Sequence, residues 1–202
     1  MPRILLVDNY NVAGKEEQLK KSLESNGATV TLISASDSSP KVFDEHDGVV
    51  LSGSPAMLSE DGSEAPFSGE MDAIRASRVP MLGICFGHQL MARAFGSTVL
   101  RGPSYTRRYV ETEVLANDSL FVGLGKRISV YESHLELVGS VPKDFRLLAT
   151  SPTSPVAAMR HKRLPIFGVQ FHPEQNSAEN PDGDTFVRNF VQACTRASRI
   201  AR

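Results

Sequence analysis

The chain has 202 residues, of which 41% are hydrophobic and 22% charged, and its formal net charge at pH 7 is −1. Domains typically have about 100–200 residues, so we expect a single domain spanning residues 1–202. A net charge near zero argues against nucleic acid or an anionic membrane as a bulk partner. Two distant cysteines, Cys85 and Cys194, make no disulfide framework, and no apolar run is long enough to cross a membrane. We therefore expect a cytoplasmic globular protein.

Short apolar runs alternate with amphipathic segments in the first half of the chain. Such alternation predicts a parallel sheet with helices on both faces. In the second predicted helix, Met71 and Ile74 should face inward, and a polar surface loop, 56–69, precedes it. The N-terminal apolar run is too short for a secretory signal. The predicted elements are strand 4–7, helix 15–25, strands 28–33 and 47–51, helix 70–78, a strand after Pro80 and a helix over 90–95.

After Gly96 the pattern changes, because strand-like runs follow one another with little helix between them. This predicts an antiparallel or mixed extension of the sheet. The runs are 98–101, 109–115, 128–131, 146–149, 156–159 and 165–171, followed by a closing helix from 185 to about 200. The predicted fold class is α/β: an open, mostly parallel, flavodoxin- or Rossmann-like sheet with helices on both faces and this extension in its second half.

Cys85 lies at a predicted strand-to-helix junction, with Gly83 and Gly87 two residues to either side. A sharp turn of this kind needs small flanking residues and lifts the central side chain above the end of the sheet. The N–H of Phe86 would then contribute to an oxyanion hole, and the helix N-terminus would favour a thiolate. The alternative is a buried, inert thiol.

His172 and Glu174 follow the last apolar run, separated by Pro173. Glu174 could accept a hydrogen bond from one ring nitrogen of His172 and leave the other facing the thiol, as in a catalytic triad. The alternative is a capped strand end with a surface histidine. Asp8, the segment 52–54 and Cys85 also follow predicted strands, and ligands of parallel sheets bind at this edge.

Other titratable residues suggest no second site. Cys85 and His88 have a spacing that a metal could use, but zinc needs three or four ligands and there is no second such pair, so we expect no metal. His88 should pack on the helix after Cys85. His46 and His161 lie among charged residues and should be at the surface, and Cys194 should be a structural or an idle thiol.

Two stretches together carry a family resemblance: Gly-Ile-Cys-Phe-Gly-His-Gln-Leu at 83–90 and Gly-Val-Gln-Phe-His-Pro-Glu at 168–174. They resemble the triad-type, class I glutamine amidotransferase domain, and the likeness covers nearly the whole chain. Residues 49–55 resemble its oxyanion loop. Residues 131–134, Tyr-Glu-Ser-His, are similar to the glutaminase part of GMP synthases, especially the separate archaeal form.

The resemblance implies hydrolysis of L-glutamine to glutamate and ammonia through a thioester on Cys85. The resemblance also implies that His172 and Glu174 complete the catalytic triad. The backbone N–H groups of Ser54 and Phe86 would form the oxyanion hole. The implied substrate contacts are Gly53, Gln89, Ser133 and His134. The ammonia would pass to an ATP-pyrophosphatase synthetase subunit that makes GMP from XMP. The chain has no phosphate loop, so we expect no cofactor here, with ATP and Mg²⁺ only on the partner.

Departures from the family pattern leave other functions open. The oxyanion loop has Ser54 where a second glycine is usual, and the region of Arg107 also differs. These changes alter the pocket and spare the triad, which would suit a standalone γ-glutamyl hydrolase or peptidase. A third possibility is a partner-gated or non-catalytic binding subunit. The Glu132–His134 stretch argues against an anthranilate-type enzyme.

Overall fold

The computed structural model describes residues 1–10 and 12–200, and within them one nine-stranded sheet is flanked by helices. The helices are α1 (Glu17–Ser25), α2 (Pro40–Asp44), α3 (Ser68–Ala76), α4 (Phe86–Ala94) and α5 (Asp182–Ile200). The strands are β1 (Arg3–Asp8), β2 (Thr29–Ser34), β3 (Gly48–Leu51), β4 (Met81–Ile84), β5 (Val99–Val114), β6 (Arg127–Val138), β7 (Phe145–Ser151), β8 (Ser154–His161) and β9 (Ile166–Val169).

The parallel half of the sheet has the order β2-β1-β3-β4-β9. Every residue of β3, β4 and β9 is buried, as expected for continuous apolar strands covered on both faces. The register aligns Leu51, Gly83 and Gly168 in one row across these strands. The segments that follow them therefore leave the sheet at the same edge, as the sequence predicted.

The second half, β8-β7-β5-β6, is joined by antiparallel pairs, which confirms the predicted mixed extension. β5 is one strand of 16 residues where two were predicted. Gly102 and Pro103 interrupt its apolar pattern, and the structure absorbs them in a register shift between Arg101 and Thr106. β6 is longer than predicted and includes the Glu-Ser-His stretch at 132–134.

The sheet curls until its far edge meets the end of β9. The backbone N–H of His172 donates to the carbonyl of Tyr131 over 2.7 Å, in an isolated antiparallel bridge. β6 is the last strand in the sheet order. The bridge nevertheless places it beside the segment that follows β9, which is the fifth strand in that order. The curl converts an open edge into one wall of a pocket.

Polar residues account for the differences between the predicted and observed burial. In α3, Ile74 is buried and Met71 is partly buried, but Glu70, which the apolar pattern ignored, is only 1% exposed. The predicted surface position of His161 is wrong, since the ring packs against Phe145 and its Nδ1 accepts two backbone N–H groups. Burial lowers the pKa of His161.

Cys194, on α5, is completely buried, and burial raises the pKa of its thiol. It is therefore a packing residue, as predicted. Across the described ranges, no helix is both long enough and apolar enough to cross a membrane.

Candidate active site

Cys85 lies at a sharp turn between β4 and α4. Its backbone has φ 50° and ψ −99°, and among the described residues it is the only non-glycine residue with a positive φ. A Cβ on Gly83 would come within 2.6 Å of the Gly87 carbonyl, and one on Gly87 within 2.5 Å of the Leu51 carbonyl. Neither position can hold a side chain without moving backbone. Strain at a single non-glycine residue is a frequent property of functional sites.

His172 and Glu174 lie beside this turn, and the hydrogen bond predicted between them is present. Nδ1 of His172 is 2.8 Å from Oε1 of Glu174, and both side chains are buried. Burial by itself would lower the pKa of His172. The charges of Glu174 and Cys85 and a hydrogen bond with Cys85 outweigh burial and raise that pKa well above its usual value. The carboxylate beside the ring therefore favours its protonated form.

Further polar groups surround the Cys85 sulfur. The Ser133 carbonyl is 3.6 Å from Sγ, and Nε2 of Gln170 donates towards Sγ over 3.7 Å. Gln170 is fully buried and also contacts Gln89, whose amide nitrogen donates to the Glu136 carbonyl over 2.8 Å. Sequence reasoning missed Gln170, although it stands two residues before His172. Gln89 thus belongs to a network behind the thiol, and its predicted contact with substrate remains a prediction.

A pocket of about 370 Å³ opens in front of Cys85 and His172. Its other walls include Tyr10, Lys15, Ser54, Tyr105, Arg107 and Ser133. Two of these side chains are cationic, and none of the described residues that line the pocket is an aspartate or a glutamate. The pocket is therefore suited to a ligand that carries a carboxylate.

Ser133 and His134 occupy opposite faces of β6, because side chains alternate along a strand. Ser133 lines the pocket and its hydroxyl is 2.9 Å from that of Tyr105. His134 points to the buried side, where Nε2 lies 2.8 Å from Glu132. The expectation that both residues line one end of the substrate is revised accordingly: Ser133 is at the pocket and His134 is not.

Glu132 anchors this buried side of β6. Its carboxylate also accepts hydrogen bonds from the hydroxyl groups of Ser151, over 2.8 Å, and Thr153, over 2.5 Å. Burial raises the pKa of Glu132, but the hydrogen bonds outweigh burial and the net shift is downward. His134 and its partners therefore fix the strand that carries Ser133.

The predicted oxyanion loop follows β3 and lies against the triad. A Cβ on Gly53 would be 2.5 Å from the Tyr10 hydroxyl and 3.1 Å from Cε1 of His172. Ser54 lines the pocket, and its hydroxyl accepts the N–H of Ala56 over 3.1 Å. Phe86 begins α4 directly after Cys85. The predicted backbone donors, Ser54 and Phe86, thus follow strand ends that face the same pocket.

The segment that continues from the predicted oxyanion loop is held by Glu136, on β6. Its two carboxylate oxygens accept the backbone N–H groups of Leu58, over 2.6 Å, and Ser59, over 3.1 Å. Glu136 is buried. This carboxylate holds the loop in place.

His88 is a packing residue, as expected from the sequence. It is fully buried on α4, and its Nε2 lies 3.0 Å from the Val156 carbonyl. Burial lowers its pKa to about 3. A Cβ on Gly168 would collide with the His88 ring, so that glycine leaves space for it.

A strained cysteine at a strand-to-helix turn, with a buried His–Glu pair beside it, defines a thiol-dependent α/β enzyme with a triad-type site. Comparison with known proteins gives the family. The family model described as glutamine amidotransferase class-I matches residues 5–194, so the chain belongs to the class-I glutamine amidotransferases.

Relatives and solved structures agree with this assignment. The chain is 33% identical to the glutamine-hydrolysing GMP synthase subunit of Archaeoglobus fulgidus, over 93% of this chain and 97% of that protein. It is 41% identical to the protein of the same name from Pyrococcus abyssi, over 73% and 75% of the two chains. A crystal structure from Thermoplasma acidophilum covers 100% of this chain and 98% of its own, with a TM-score of 0.87 and 29% identity.

Proposed function

We propose that the chain is the glutaminase subunit of a two-chain GMP synthase. It hydrolyses L-glutamine to glutamate and ammonia, and the ammonia passes to a separate synthetase. The observation that carries the chemistry is the buried His172–Glu174 pair beside the strained Cys85. The destination is supported by relatives named as glutamine-hydrolysing subunits of GMP synthase, one of which matches over 97% of its own length.

In the first half-reaction, the Cys85 thiolate attacks the side-chain amide carbon of glutamine. A bond forms from Sγ to carbon, and the carbonyl electron pair moves onto oxygen. When the tetrahedral adduct collapses, the bond from carbon to nitrogen breaks. The protonated ring of His172 supplies the proton that completes ammonia, and a glutamyl thioester remains. The raised pKa of His172 suits this proton donation.

In the second half-reaction, the neutral His172 ring takes a proton from water. The resulting hydroxide attacks the thioester, the bond from carbon to sulfur breaks, and glutamate leaves with the Cys85 thiolate restored. Glu174 keeps the ring oriented throughout, because its carboxylate holds Nδ1. The other ring nitrogen thereby serves both steps.

Both tetrahedral intermediates carry a negative oxygen, for which we assign the backbone N–H groups of Phe86 and Ser54. A donor of this kind contributes roughly 3–4 kcal/mol to the stability of the transition state. The side chain of Ser54 does not obstruct this role, since its hydroxyl is engaged with the N–H of Ala56.

The substrate's amino-acid end is assigned to the outer pocket, beyond Gly53 and Ser133. Arg107 and Lys15 line the pocket and can attract the α-carboxylate. No carboxylate from the described lining residues is available to the α-ammonium group. The α-ammonium group would instead contact neutral oxygens of the pocket wall, including the hydroxyl groups of Ser133 and Tyr105.

The ATP-dependent step is assigned to the partner. The chain carries no Gly-x-x-x-x-Gly-Lys phosphate loop. We therefore propose that this chain needs no cofactor, and that an ATP-pyrophosphatase subunit binds ATP and Mg²⁺ and uses the ammonia to convert XMP to GMP.

The decisive experiment measures glutamate release from glutamine by the isolated chain, and repeats it with the ATP-pyrophosphatase partner of a GMP synthase, XMP and ATP. The expected result is glutamate release with matching GMP formation in the second reaction, and neither product with Cys85→Ala. Cleavage of γ-glutamyl peptides without glutamine hydrolysis would replace the proposal with a standalone γ-glutamyl hydrolase. Absence of turnover in every reaction would leave a binding subunit.

A further inference from the structure

Glu70 is an acidic side chain that the proposed chemistry does not use, yet it is buried and bonded to Asn9, a neighbour of the oxyanion loop. It lies in the first turn of α3 and is 1% exposed. Its Oε1 accepts a hydrogen bond from Nδ2 of Asn9 over 3.2 Å. The two residues are 61 positions apart in the chain. A buried carboxyl group without a cation beside it is costly when ionised.

Two oxygens of this pair are left without a donor. Among the residues that the structure describes, Oε2 of Glu70 and Oδ1 of Asn9 are buried and have no hydrogen-bond partner. Both are acceptors when Glu70 is a carboxylate. A proton on Oε2 would supply the donor that both oxygens lack, and would pair the neutral acid with the amide through two hydrogen bonds.

Asn9 connects this pair to the oxyanion loop. Its backbone N–H donates to Oγ of Ser52 over 2.8 Å, and the Ser52 hydroxyl in turn donates to the Gly53 carbonyl over 2.9 Å. The carbonyl of Ser52 accepts the N–H of Gly87, within the turn that holds the nucleophile. The orientation of Asn9 is therefore passed on to Ser52 and Gly53.

We propose that Glu70 is a positioning residue for glutamine hydrolysis, held as the neutral acid so that it orients Asn9 and, through Asn9, the oxyanion loop. The effect on catalysis rests on the proposed function. The pairing itself rests on burial and on the two oxygens that lack donors.

The surroundings agree with a neutral acid. Burial raises the pKa of Glu70 to about 8, against a lowering by the Asn9 hydrogen bond, and no other charge shifts it. The two neighbouring arginines are engaged elsewhere, since Arg93 pairs with Glu64 and Arg75 pairs with Asp72. The titratable groups on α3 and on the elements packed against it are Asp37, Lys41, Asp44, Glu64, Asp72, Arg75, His88 and Arg93.

The sign of the pH effect follows from a raised pKa. Below about pH 8 the acid keeps its proton and the pair with Asn9 is intact. Above about pH 8, Glu70 ionises. Its carboxylate oxygen then faces Oδ1 of Asn9, and two acceptors without a proton between them repel each other. The pair with Asn9 weakens, and the loop loosens. Glu70→Gln should imitate the neutral acid at every pH, because an amide can donate to Oδ1 of Asn9 and accept from its Nδ2.

The first test follows the backbone amide of Gly53 by NMR during a pH titration of the full chain labelled with ¹⁵N-glycine. In the wild type, the Gly53 resonance should show a shift with a midpoint near pH 8. In Glu70→Gln that component should be lost, and only the shift caused by the nearby His172 ring should remain. The matched control is Glu24→Gln, an exposed glutamate on α1, which should behave as wild type. A Gly53 resonance that does not titrate, or that titrates equally in Glu70→Gln, overturns the proposal.

The second test measures the ratio of kcat for Glu70→Gln to kcat for the wild type between pH 6 and about 9. Other ionisations, including that of His172, cancel in this ratio. We expect it to rise roughly tenfold by about pH 9, where about nine tenths of Glu70 is ionised. A flat ratio overturns the catalytic part of the proposal. If the chain hydrolyses no glutamine, the proposed function fails, and the Gly53 titration still decides the pairing.

Instability of the variant would not leave the pairing untested. In that case the wild type is labelled with ¹³C-glutamate at the side-chain carboxyl carbon and titrated. One carboxyl resonance should titrate near pH 8, far from the ordinary value of about 4.3. Ordinary titration of every glutamate carboxyl would contradict the neutral acid.

Discussion

His172 and Tyr131 are joined by a backbone hydrogen bond of 2.7 Å, which connects the segment after β9 to the edge strand β6. Two residues beyond Tyr131, the carbonyl of Ser133 lies 3.6 Å from the Cys85 sulfur. The imidazole that moves protons and the wall that faces the substrate are therefore fixed to each other. Displacement of β6 would disturb the triad as well as the pocket.

Replacement of Cys85 should separate chemistry from stability. Cys85→Ala and Cys85→Gly should both abolish glutamine hydrolysis, because neither offers a nucleophile. Glycine should give the more stable protein by about 1 kcal/mol or more, since it accepts φ 50° without the strain of a Cβ. Denaturant unfolding of the two variants measures the difference. An alanine variant as stable as the glycine variant would contradict the strain.

Gly87, two residues after the nucleophile, should not tolerate a side chain. Gly87→Ala places a Cβ only 2.5 Å from the Leu51 carbonyl oxygen, and should cost about 1–3 kcal/mol of unfolding free energy and most of kcat. Gly69→Ala, in α3, is the matched control, because its Cβ would meet only the Ser38 carbonyl at 3.5 Å. That variant should be neutral or slightly stabilised. Equal losses in both would refute the steric explanation.

Glu174→Gln should lower the pKa of His172, because the charge of Glu174 is the largest influence that raises it. A histidine pKa that is raised on folding stabilises the protein fully below the unfolded value, about 6.5, and the stabilisation is lost as pH rises through the folded pKa. The destabilisation caused by Glu174→Gln should thus be larger at about pH 6 than in alkaline solution. Ring NMR of His172 and unfolding at several pH values measure both effects. An unchanged pKa would exclude this coupling.

Arg107 should affect substrate binding more than chemistry. Arg107→Gln removes a cation from the pocket wall and should raise KM for glutamine on the order of tenfold, with kcat nearly unchanged. Arg101→Gln, on the same strand and outside the pocket lining, is the control and should leave KM as it is. Steady-state kinetics decide, and a fall in kcat at constant KM would place Arg107 in another role.

The sequence predicts the catalytic edge well, because its signals are local. Continuous apolar runs identify β3 and β4, and the glycines around Cys85 predict the turn. The pairing of His172 with Glu174 needs only two residues of separation. These features depend on the residues beside them, so they can be recognised without knowledge of the tertiary structure.

The polar supports could not be predicted in this way. Glu70 is buried because Asn9, 61 positions away, meets it, and Glu136 is satisfied by backbone groups 77 and 78 positions away. His161 has charged neighbours in sequence but aromatic neighbours in space. The length of β6 also exceeded the prediction, since its buried positions include Glu132 and His134, which satisfy each other.

The curl that brings β6 against the end of β9 lets the catalytic groups and the substrate-facing groups come from different parts of the sheet. The nucleophile and its base depend on short buried strands, whereas Tyr105, Arg107 and Ser133 come from the long β5–β6 pair. We expect a graft of this pair from another amidotransferase to exchange substrate preference while the thiol chemistry persists. Evolution could revise this wall one exposed residue at a time without repacking the core.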